Sequence, residues 1–234
     1  MTLESYLSTY DAGNLLDIAC GAGAFTKRLA DNCASYAHIT GIDIKADARD
    51  DFLTTVPGDN VTFIEGRIQD YIYQAGTFDT ISVSNALHHL EDVGDVLKDI
   101  GKLLERSGTL IVNEMHRDGL TPSQQTQHDQ HRFLAELQTK AGEHHRETWS
   151  KGKILGFVSE AQMTVEHTFE NLNRDADVVR EPGRLVERAE RAIPTAYPAG
   201  APPEVTAELE RLVKRNEEIG SSPPPQLTLI CKHK

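Results

Sequence analysis

The stretch from Leu15 to Phe25 constrains the fold of this chain more than any other part of the sequence. It begins with an apolar run, as a buried strand does, and ends in a turn that contains Gly21 and Gly23. A helical pattern follows directly, with Phe25 and Leu29 spaced for one face of a helix. A strand, a glycine turn and a helix in this order are typical of the first βαβ unit of a nucleotide-binding α/β sheet.

Asp17 distinguishes this turn from one that binds a dinucleotide. In a dinucleotide site, backbone N–H groups and the positive end of the helix bind a pyrophosphate. The Asp17 carboxylate, four residues before Gly21, would repel that anion, whereas it suits a ligand with an ammonium or sulfonium group. The third glycine of the dinucleotide pattern G-x-G-x-x-G is also replaced, because Thr26 stands at its position.

The order Asp-x-x-x-Gly-x-Gly at the end of the first strand resembles motif I of the class I S-adenosylmethionine methyltransferases. The resemblance extends from Asn14 to Glu114, and the Ala-Leu-His-His run at 86–89 is similar to the small-molecule branch that includes the ubiquinone/menaquinone-biosynthesis methyltransferases. It implies an enzyme that transfers a methyl group from S-adenosyl-L-methionine to a small-molecule acceptor by in-line displacement. It also implies a Rossmann-like, doubly wound α/β fold with a seven-stranded sheet, mostly parallel, whose last strand is antiparallel.

Hydrophobic periodicity predicts strands and helices that alternate through the first half of the chain. The predicted strands span residues 14–18, 38–42, 61–65, 78–83, 109–113, 163–169 and 227–231. The predicted helices span residues 24–34, 46–53, 93–104, 122–140, 143–153, 184–193 and 204–219. We expect a single domain over residues 1–234, with substrate-covering insertions over the carboxyl edge of the sheet at about 116–153 and 172–225.

The resemblance also implies which residues bind the cofactor. Asp43 ends the second strand about 20 residues beyond the glycine turn, where a carboxylate suits ribose hydroxyls; a turn-forming or helix-capping Asp is the alternative. The family often has Asp directly after Gly66, but this chain has Arg67, which leaves Ile68 and Asp70 as the adenine contacts. Asp70 is equally well explained as a turn residue. The full set of expected cofactor contacts is Asp17, Ala19, Gly21, Gly23, Asp43, Ile44, Ile68, Asp70 and Asn85.

His88 and His116 are the candidate catalytic residues, because a thiol, amine or phenol acceptor would benefit from a base. A histidine near its solution pKa can accept or donate a proton at neutral pH. His88 is preferred, since it follows the fourth strand at the edge of the sheet where such folds bind ligands. The alternative for each is a hydrogen-bonded structural histidine or one on the surface.

A second histidine pattern lies in the insertion. His128 and His131 are three residues apart on a predicted helix, and His144 and His145 follow. An i, i+3 histidine pair could bind zinc or iron. A solvated polar helix face is the alternative, and methyltransferase resemblance implies no metal, so no metal ligand is assigned.

The charge balance bears on partners. The chain has 36 acidic and 24 basic residues, for a formal net charge of -12, which disfavours nucleic acid and anionic membranes as partners. Three scattered cysteines and an N-terminus unlike a signal peptide predict a cytoplasmic protein. The sequence leaves a homodimer open. It also leaves two other functions open, an NAD(P)-dependent oxidoreductase on a similar sheet and a non-catalytic module that binds S-adenosylmethionine.

Overall fold

The structure is a computed structural model, and it describes residues 1–69 and 77–234. Its strands are β1 (Asn14–Ile18), β2 (His38–Asp43), β3 (Val61–Glu65), β4 (Phe78–Ser84), β5 (Leu104–Met115), β6 (Met163–Asn171) and β7 (Gln226–His233). They form one sheet in the order β3-β2-β1-β4-β5-β7-β6. Strand β7 runs antiparallel to both of its neighbours, and the other pairs are parallel. The predicted fold class is therefore confirmed, including the reversed last strand beside β5.

Helices cover the sheet, and the second half of the chain adds further helices. They are α1 (Leu3–Leu7), α2 (Ala24–Asn32), α3 (Ala48–Thr55), α4 (Val93–Leu103), α5 (Pro122–Lys140), α6 (Lys151–Glu160), α7 (Gly183–Ala196) and α8 (Pro203–Ile219). Over residues 1–69 and 77–234, none of these helices is long and apolar enough to cross a membrane.

The sheet is covered on both faces, because neighbouring side chains of its strands point in opposite directions. Leu15 belongs to an apolar cluster that includes Leu29 of α2 and Phe52 of α3. Leu16, the next residue, belongs to a second cluster that includes Leu97 of α4 and residues of α6. Strand β1 therefore contributes to two cores, as a parallel strand that is buried on both faces does.

A third apolar cluster lies outside the sheet. Helix α5 packs against α7 and α8, and the three helices bury Phe133, Leu137, Leu185 and Leu212 among others. Helix α5 begins with a capping box, in which Thr121 and Gln124 pair reciprocally with each other's backbone N–H groups. The two segments expected to form insertions thus meet each other in one three-helix bundle.

Two sequence predictions need correction. The helix predicted over residues 143–153 is wrong, because the chain is extended up to Ser150, which caps α6 by accepting from the Lys153 N–H. Tertiary contacts replace helical ones there, since the Arg146 N–H donates to the His88 carbonyl. Strand β5 also begins earlier than predicted, because Leu104 pairs with Phe78 across an irregularity in the ladder. The remaining predicted strands and helices are found within a few residues of their predicted ends.

Candidate active site

The glycine turn after β1 has a backbone that only glycine adopts easily. Gly21 and Gly23 have φ angles of +49° and +81°, in the left-handed region. A Cβ atom on Gly21 would have no neighbour within 4 Å among the described residues, so this side of the turn is open. A Cβ atom on Gly23 would lie 2.9 Å from the ring of Phe52, which packs against the other side. Gly23 is also the N-cap of α2 and has no side chain to cover the first-turn N–H groups.

Asp17 lies in the interior beside this turn, with only 1% of its surface exposed. Ser82 of β4 donates a hydrogen bond of 2.6 Å to one carboxylate oxygen, and the Thr26 hydroxyl donates to the other. Burial raises the pKa of Asp17 to about 6, and the nearby Asp43 charge adds to this, while the two hydroxyl donors oppose it. A buried negative charge is therefore present at neutral pH.

Asp43 connects the end of β2 to the glycine turn. One of its carboxylate oxygens accepts from the Gly21 N–H at 2.8 Å, and the other accepts from the Lys45 N–H at 2.9 Å. Because each carboxylate oxygen has two lone pairs, both can still accept from a ligand. Next to it, Ile44 is 62% exposed, which is unusual for a large apolar side chain, whereas Ile68 is buried in the core beneath the sheet edge. Asp70, predicted to contact adenine, lies outside the described residues.

A cleft of about 340 Å³ opens beside the turn, at the carboxyl ends of the strands. Of the expected cofactor contacts, Asp17, Ala19 and Asn85 line it. Ala19 and Asn85 both have positive φ angles, of 54° and 48°, which marks two sharp turns on opposite sides of the cleft. The other lining residues are Cys20, Ala22, Ala24, Phe25, Arg28, Ser84, Asn113 and Gln226.

Sequence reasoning missed several of these residues for a physical reason. Gln226 begins β7, some 110 residues beyond Asn113 of β5, and the two side chains are joined by a 3.3 Å hydrogen bond. Only the pairing of these strands brings them to one edge. The role of Ser82 could have been suspected, because it is a hydroxyl between the apolar Ile81 and Val83 of β4.

Four imidazole rings lie together at the other side of this edge, where β4 leads into a short 3-10 turn over Leu87–His89. We call His88, His89, His131 and His145 the histidine cluster. Ring centroids in the cluster lie 4.1 Å apart for His89 and His145, 4.3 Å for His88 and His89, and 4.8 Å for His131 and His145. His88 and His89 come from the sheet edge, whereas His131 comes from α5 and His145 from the extended segment after it.

Buried polar partners fix the orientation of two of these rings. His88 Nδ1 lies 3.1 Å from Glu114 Oε1, and the Glu114 carboxylate also accepts the N–H groups of Leu87 and Met115. Because a carboxylate in this position accepts, His88 Nδ1 is the donor, and Nε2 is the unprotonated nitrogen of the neutral ring. His145 Nδ1 lies 2.6 Å from Gln138 Oε1 in the same way.

Two rings of the cluster, His131 and His145, favour the neutral form. Burial lowers the pKa of His131 to about 3 and that of His145 to about 2, and the neighbouring histidines lower both further. His145 Nε2 and His131 Nε2 face each other at 3.1 Å. His131 Nδ1 is buried and has no hydrogen-bond partner within residues 1–69 and 77–234.

The other histidines predicted from sequence lie apart from the cluster. His116 is fully buried at the end of β5, where its Nδ1 accepts the Asp118 N–H at 3.2 Å and its Nε2 lies 3.1 Å from Glu170 Oε1. Burial lowers its pKa, and its catalytic role stays a prediction. Of the pair spaced three apart, only His131 joins the cluster, because His128 contacts Asp129 instead.

Comparison with known proteins indicates a family for part of the chain. The methyltransferase domain family matches residues 16–112, which include the glycine turn, Asp43 and His88. This match, together with the fold, supports a class I S-adenosylmethionine-dependent methyltransferase. It is 24% identical over 106 residues to the 2-phytyl-1,4-naphtoquinone methyltransferase of Nostoc sp. strain PCC 7120, a match that covers 44% of this chain and 46% of that protein.

A second curated relative and a solved structure agree with this match. The chain is 29% identical over 104 residues to the ubiquinone/menaquinone biosynthesis C-methyltransferase UbiE of Agrobacterium fabrum, covering 43% of this chain and 40% of that enzyme. The matches thus span less than half the length of either curated relative. The crystal structure of protein BH2331 from Bacillus halodurans shares the fold, with a TM-score of 0.63 at 14% identity over 99% of this chain and 97% of that one.

Proposed function

We propose that this chain transfers a methyl group from S-adenosyl-L-methionine to a small organic acceptor. The observation that carries the proposal is the buried Asp17 carboxylate at an open glycine turn, inside the part of the chain that matches the methyltransferase domain family. When bound, S-adenosylmethionine supplies an activated methyl group on a positively charged sulfur. Much of the remaining task is to place the acceptor in line with that methyl group and to exclude water.

The residues around the turn fit this cofactor. The open side of Gly21 leaves room for a ligand against the backbone. The charge of Asp17 favours a ligand with positive groups, and the free lone pairs of Asp43 suit hydroxyl donors such as those of a ribose. Ile44 offers an exposed apolar surface for a base. Gly23, Ala19, Ile68 and Asn85 complete the proposed contacts, together with Asp70.

The acceptor is assigned to the side of the histidine cluster. Asn85 lines the cleft, and His88 follows it after only two residues, so acceptor and cofactor would meet at this edge. A cavity of about 660 Å³ adjoins the cluster at His145 and has Trp149 and Arg132 in its wall. We infer a small organic acceptor that is part apolar, and the quinone-type substrates named for the curated relatives are one such class.

His88 and His116 are the proposed residues for handling a proton from the acceptor. Because Glu114 occupies Nδ1 of His88, the Nε2 atom of His88 is free to contact the acceptor. Both nitrogens of His116 instead face acidic side chains or backbone. The acidic surface supports the absence of nucleic-acid partners. A homodimer and a cytoplasmic location stay predictions from the sequence.

Calorimetry with S-adenosylmethionine tests the cofactor half of the proposal. Asp17→Asn should weaken binding by about 1.5–3 kcal/mol, the usual value of a hydrogen bond to a charged group. Asp47→Asn is the matched control, because this exposed carboxylate follows the neighbouring strand β2 and its side chain does not cap α3. Equal affinity in wild type and Asp17→Asn would contradict the assignment.

Turnover separates the proposal from its alternatives. The enzyme should form S-adenosylhomocysteine in the presence of an acceptor from a panel of phenols, quinols, thiols and carboxylates, detected by mass spectrometry. Tight binding without product on any acceptor would instead indicate a non-catalytic module. A change of nicotinamide fluorescence on titration would indicate an oxidoreductase.

A further inference from the structure

We propose that His88, His89 and His145 bind a divalent first-row transition-metal ion, of which zinc is the reference case, at the carboxyl end of β4. One nitrogen from each of these residues can be chosen so that all three lie within 4.8 Å of one another. Imidazole nitrogen is a preferred ligand for zinc, iron and copper, and three histidines with one open position are a known arrangement for catalytic zinc.

The groups behind the rings match what a metal site requires. A metal-bound histidine usually donates its second N–H group to a carboxylate or an amide oxygen, which fixes the ring. His88 has the Glu114 carboxylate in this position, and His145 has Gln138 Oε1 at 2.6 Å. In both rings the partner occupies Nδ1, so Nε2 is left for a metal. His89, for its part, interacts with the backbone of His144.

The distance between the facing nitrogens of His131 and His145 is also close to the distance between two ligands of one metal ion. Their Nε2 atoms are 3.1 Å apart. Two nitrogens at about 2.05 Å from a tetrahedral zinc ion lie about 3.3 Å from each other. His131 therefore lies beside the site, although it is not one of the three proposed ligands. A purely structural cluster would leave unexplained why four imidazoles are gathered at one sheet edge.

Two cations oppose the ion and one carboxylate favours it. The positive charge of Arg188 lowers the pKa values of His131 and His145, and that of Lys45 lowers the pKa of His89. Glu114, fully buried behind His88, supplies the negative charge. The balance suits an ion whose remaining position is filled by an anionic group, so the ligand class that we expect there is a carboxylate, phenolate, enolate or thiolate.

This assignment changes the role of His88. A nitrogen that binds a metal cannot also accept a proton, so the ion rather than the imidazole would lower the pKa of the acceptor. That part of the inference rests on the proposed function. The metal site itself does not, because it can be measured without turnover.

Metal titration of the full chain tests the site. Protein stripped with a chelator should bind one equivalent of zinc, and cobalt(II) in its place should give the visible absorption of a tetrahedral ion. His89→Gln should weaken zinc binding by at least about 100-fold, since a ligand is lost outright. His89 is the chosen position because it is exposed, so its replacement leaves the fold intact. His144→Gln is the matched control, an adjacent histidine whose ring pairs with Arg146, and it should bind as wild type does.

Three results would overturn the proposal. These are the absence of stoichiometric binding to wild type, equal affinity in wild type and His89→Gln, and equal losses in His89→Gln and His144→Gln. Circular dichroism of each variant separates loss of metal from loss of fold. Calorimetry with S-adenosylmethionine on the same samples keeps the two proposals apart, because a protein that binds the cofactor but no metal contradicts only this one.

Discussion

The two sides of the sheet's carboxyl edge differ in how their polar groups are satisfied. On the glycine-turn side, Asp17 is bonded to Ser82 and Thr26, and Asp43 is bonded to backbone N–H groups. On the histidine side, rings from two distant segments face one another, and among the described residues His131 Nδ1 has no partner. The carboxylates of the first side are hydrogen-bonded within the chain, whereas the second side keeps one buried nitrogen without a partner among the described residues.

The match to the methyltransferase domain family also differs between the two sides. Residues 16–112 contain the glycine turn, Asp43, His88 and His89, whereas His131 and His145 lie beyond that range. Function is carried by sites placed on a fold rather than by the fold itself. The family match therefore covers the glycine turn and Asp43, and it does not extend to His131 and His145.

The largest expected effects come from one phenylalanine on each side. Phe52→Ala and Phe133→Ala each remove a buried ring and should lower the free energy of unfolding by about 3–5 kcal/mol. Only Phe52 packs against the glycine turn, so only its variant should also weaken S-adenosylmethionine binding. Chemical denaturation and calorimetry measure the two quantities. A weakened cofactor affinity in Phe133→Ala would break the comparison, because it would couple the three-helix bundle to the turn.

Asp43→Ala should produce the next largest effect, a loss of about 1–3 kcal/mol in S-adenosylmethionine binding, as charged hydrogen bonds are lost. The variant also removes the acceptor of the Gly21 N–H, so the turn itself loses support. Calorimetry against the control Asp47→Ala measures the difference. Unchanged affinity would remove Asp43 from the site and leave it only a turn residue.

Affinity should depend on pH through Asp17. Its pKa is raised from 3.8 to about 6, so lowering the pH from neutrality to 5 protonates most of it and should weaken binding of a cationic ligand by up to about tenfold. Ser82→Ala removes a donor to the charged form and should move the midpoint of this binding curve to higher pH.

Folding stability should respond to pH in the opposite direction to binding. The stabilising contribution of a raised carboxyl pKa is present at low pH and is lost as the pH rises from 3.8 to about 6. Asp17→Asn should abolish both dependences, and their persistence would point to another group.

The smallest expected effect is at Ile44. Because its side chain is 62% exposed, Ile44→Ala should change the free energy of unfolding by less than about 0.5 kcal/mol. If it contacts the cofactor, the variant should still weaken S-adenosylmethionine binding by about 1 kcal/mol through lost apolar contact. Leu155→Ala on α6, another exposed apolar residue, should change neither. Equal behaviour of the two variants in the binding assay would take Ile44 out of the site.

Sequence reasoning succeeded where local patterns decide the structure. The apolar runs of β1 and β3 and the glycine turn gave the correct ends because burial and turn chemistry act over a few residues. It failed for the segment after α5, where helical spacing in 143–153 is overridden by pairing with His88 and Arg117. Such contacts join residues about 30 to 60 positions apart, and periodicity carries no information about them.

The candidate site divides in the same way. Asp17 and Asp43 could be predicted as site residues because the resemblance to the family gives their positions relative to the glycine turn. The hydroxyl partners of Asp17 and the carboxylate behind His88 were missed, since each depends on the register of neighbouring strands. The histidine spacing in the insertion left a metal pair open at His128 and His131, whereas the structure brings His145 beside His88 and His89, which only the folded chain can do.

One titration tests the division between the two sides most directly. Amide resonances of isotope-labelled protein would be followed by NMR as S-adenosylhomocysteine is added. The account predicts shifts centred on the glycine turn, including Gly21 and Gly23, and on Ile44 and Asn85, with His131 and His145 nearly unaffected. Shifts centred on the histidine cluster, with an unaffected glycine turn, would contradict it.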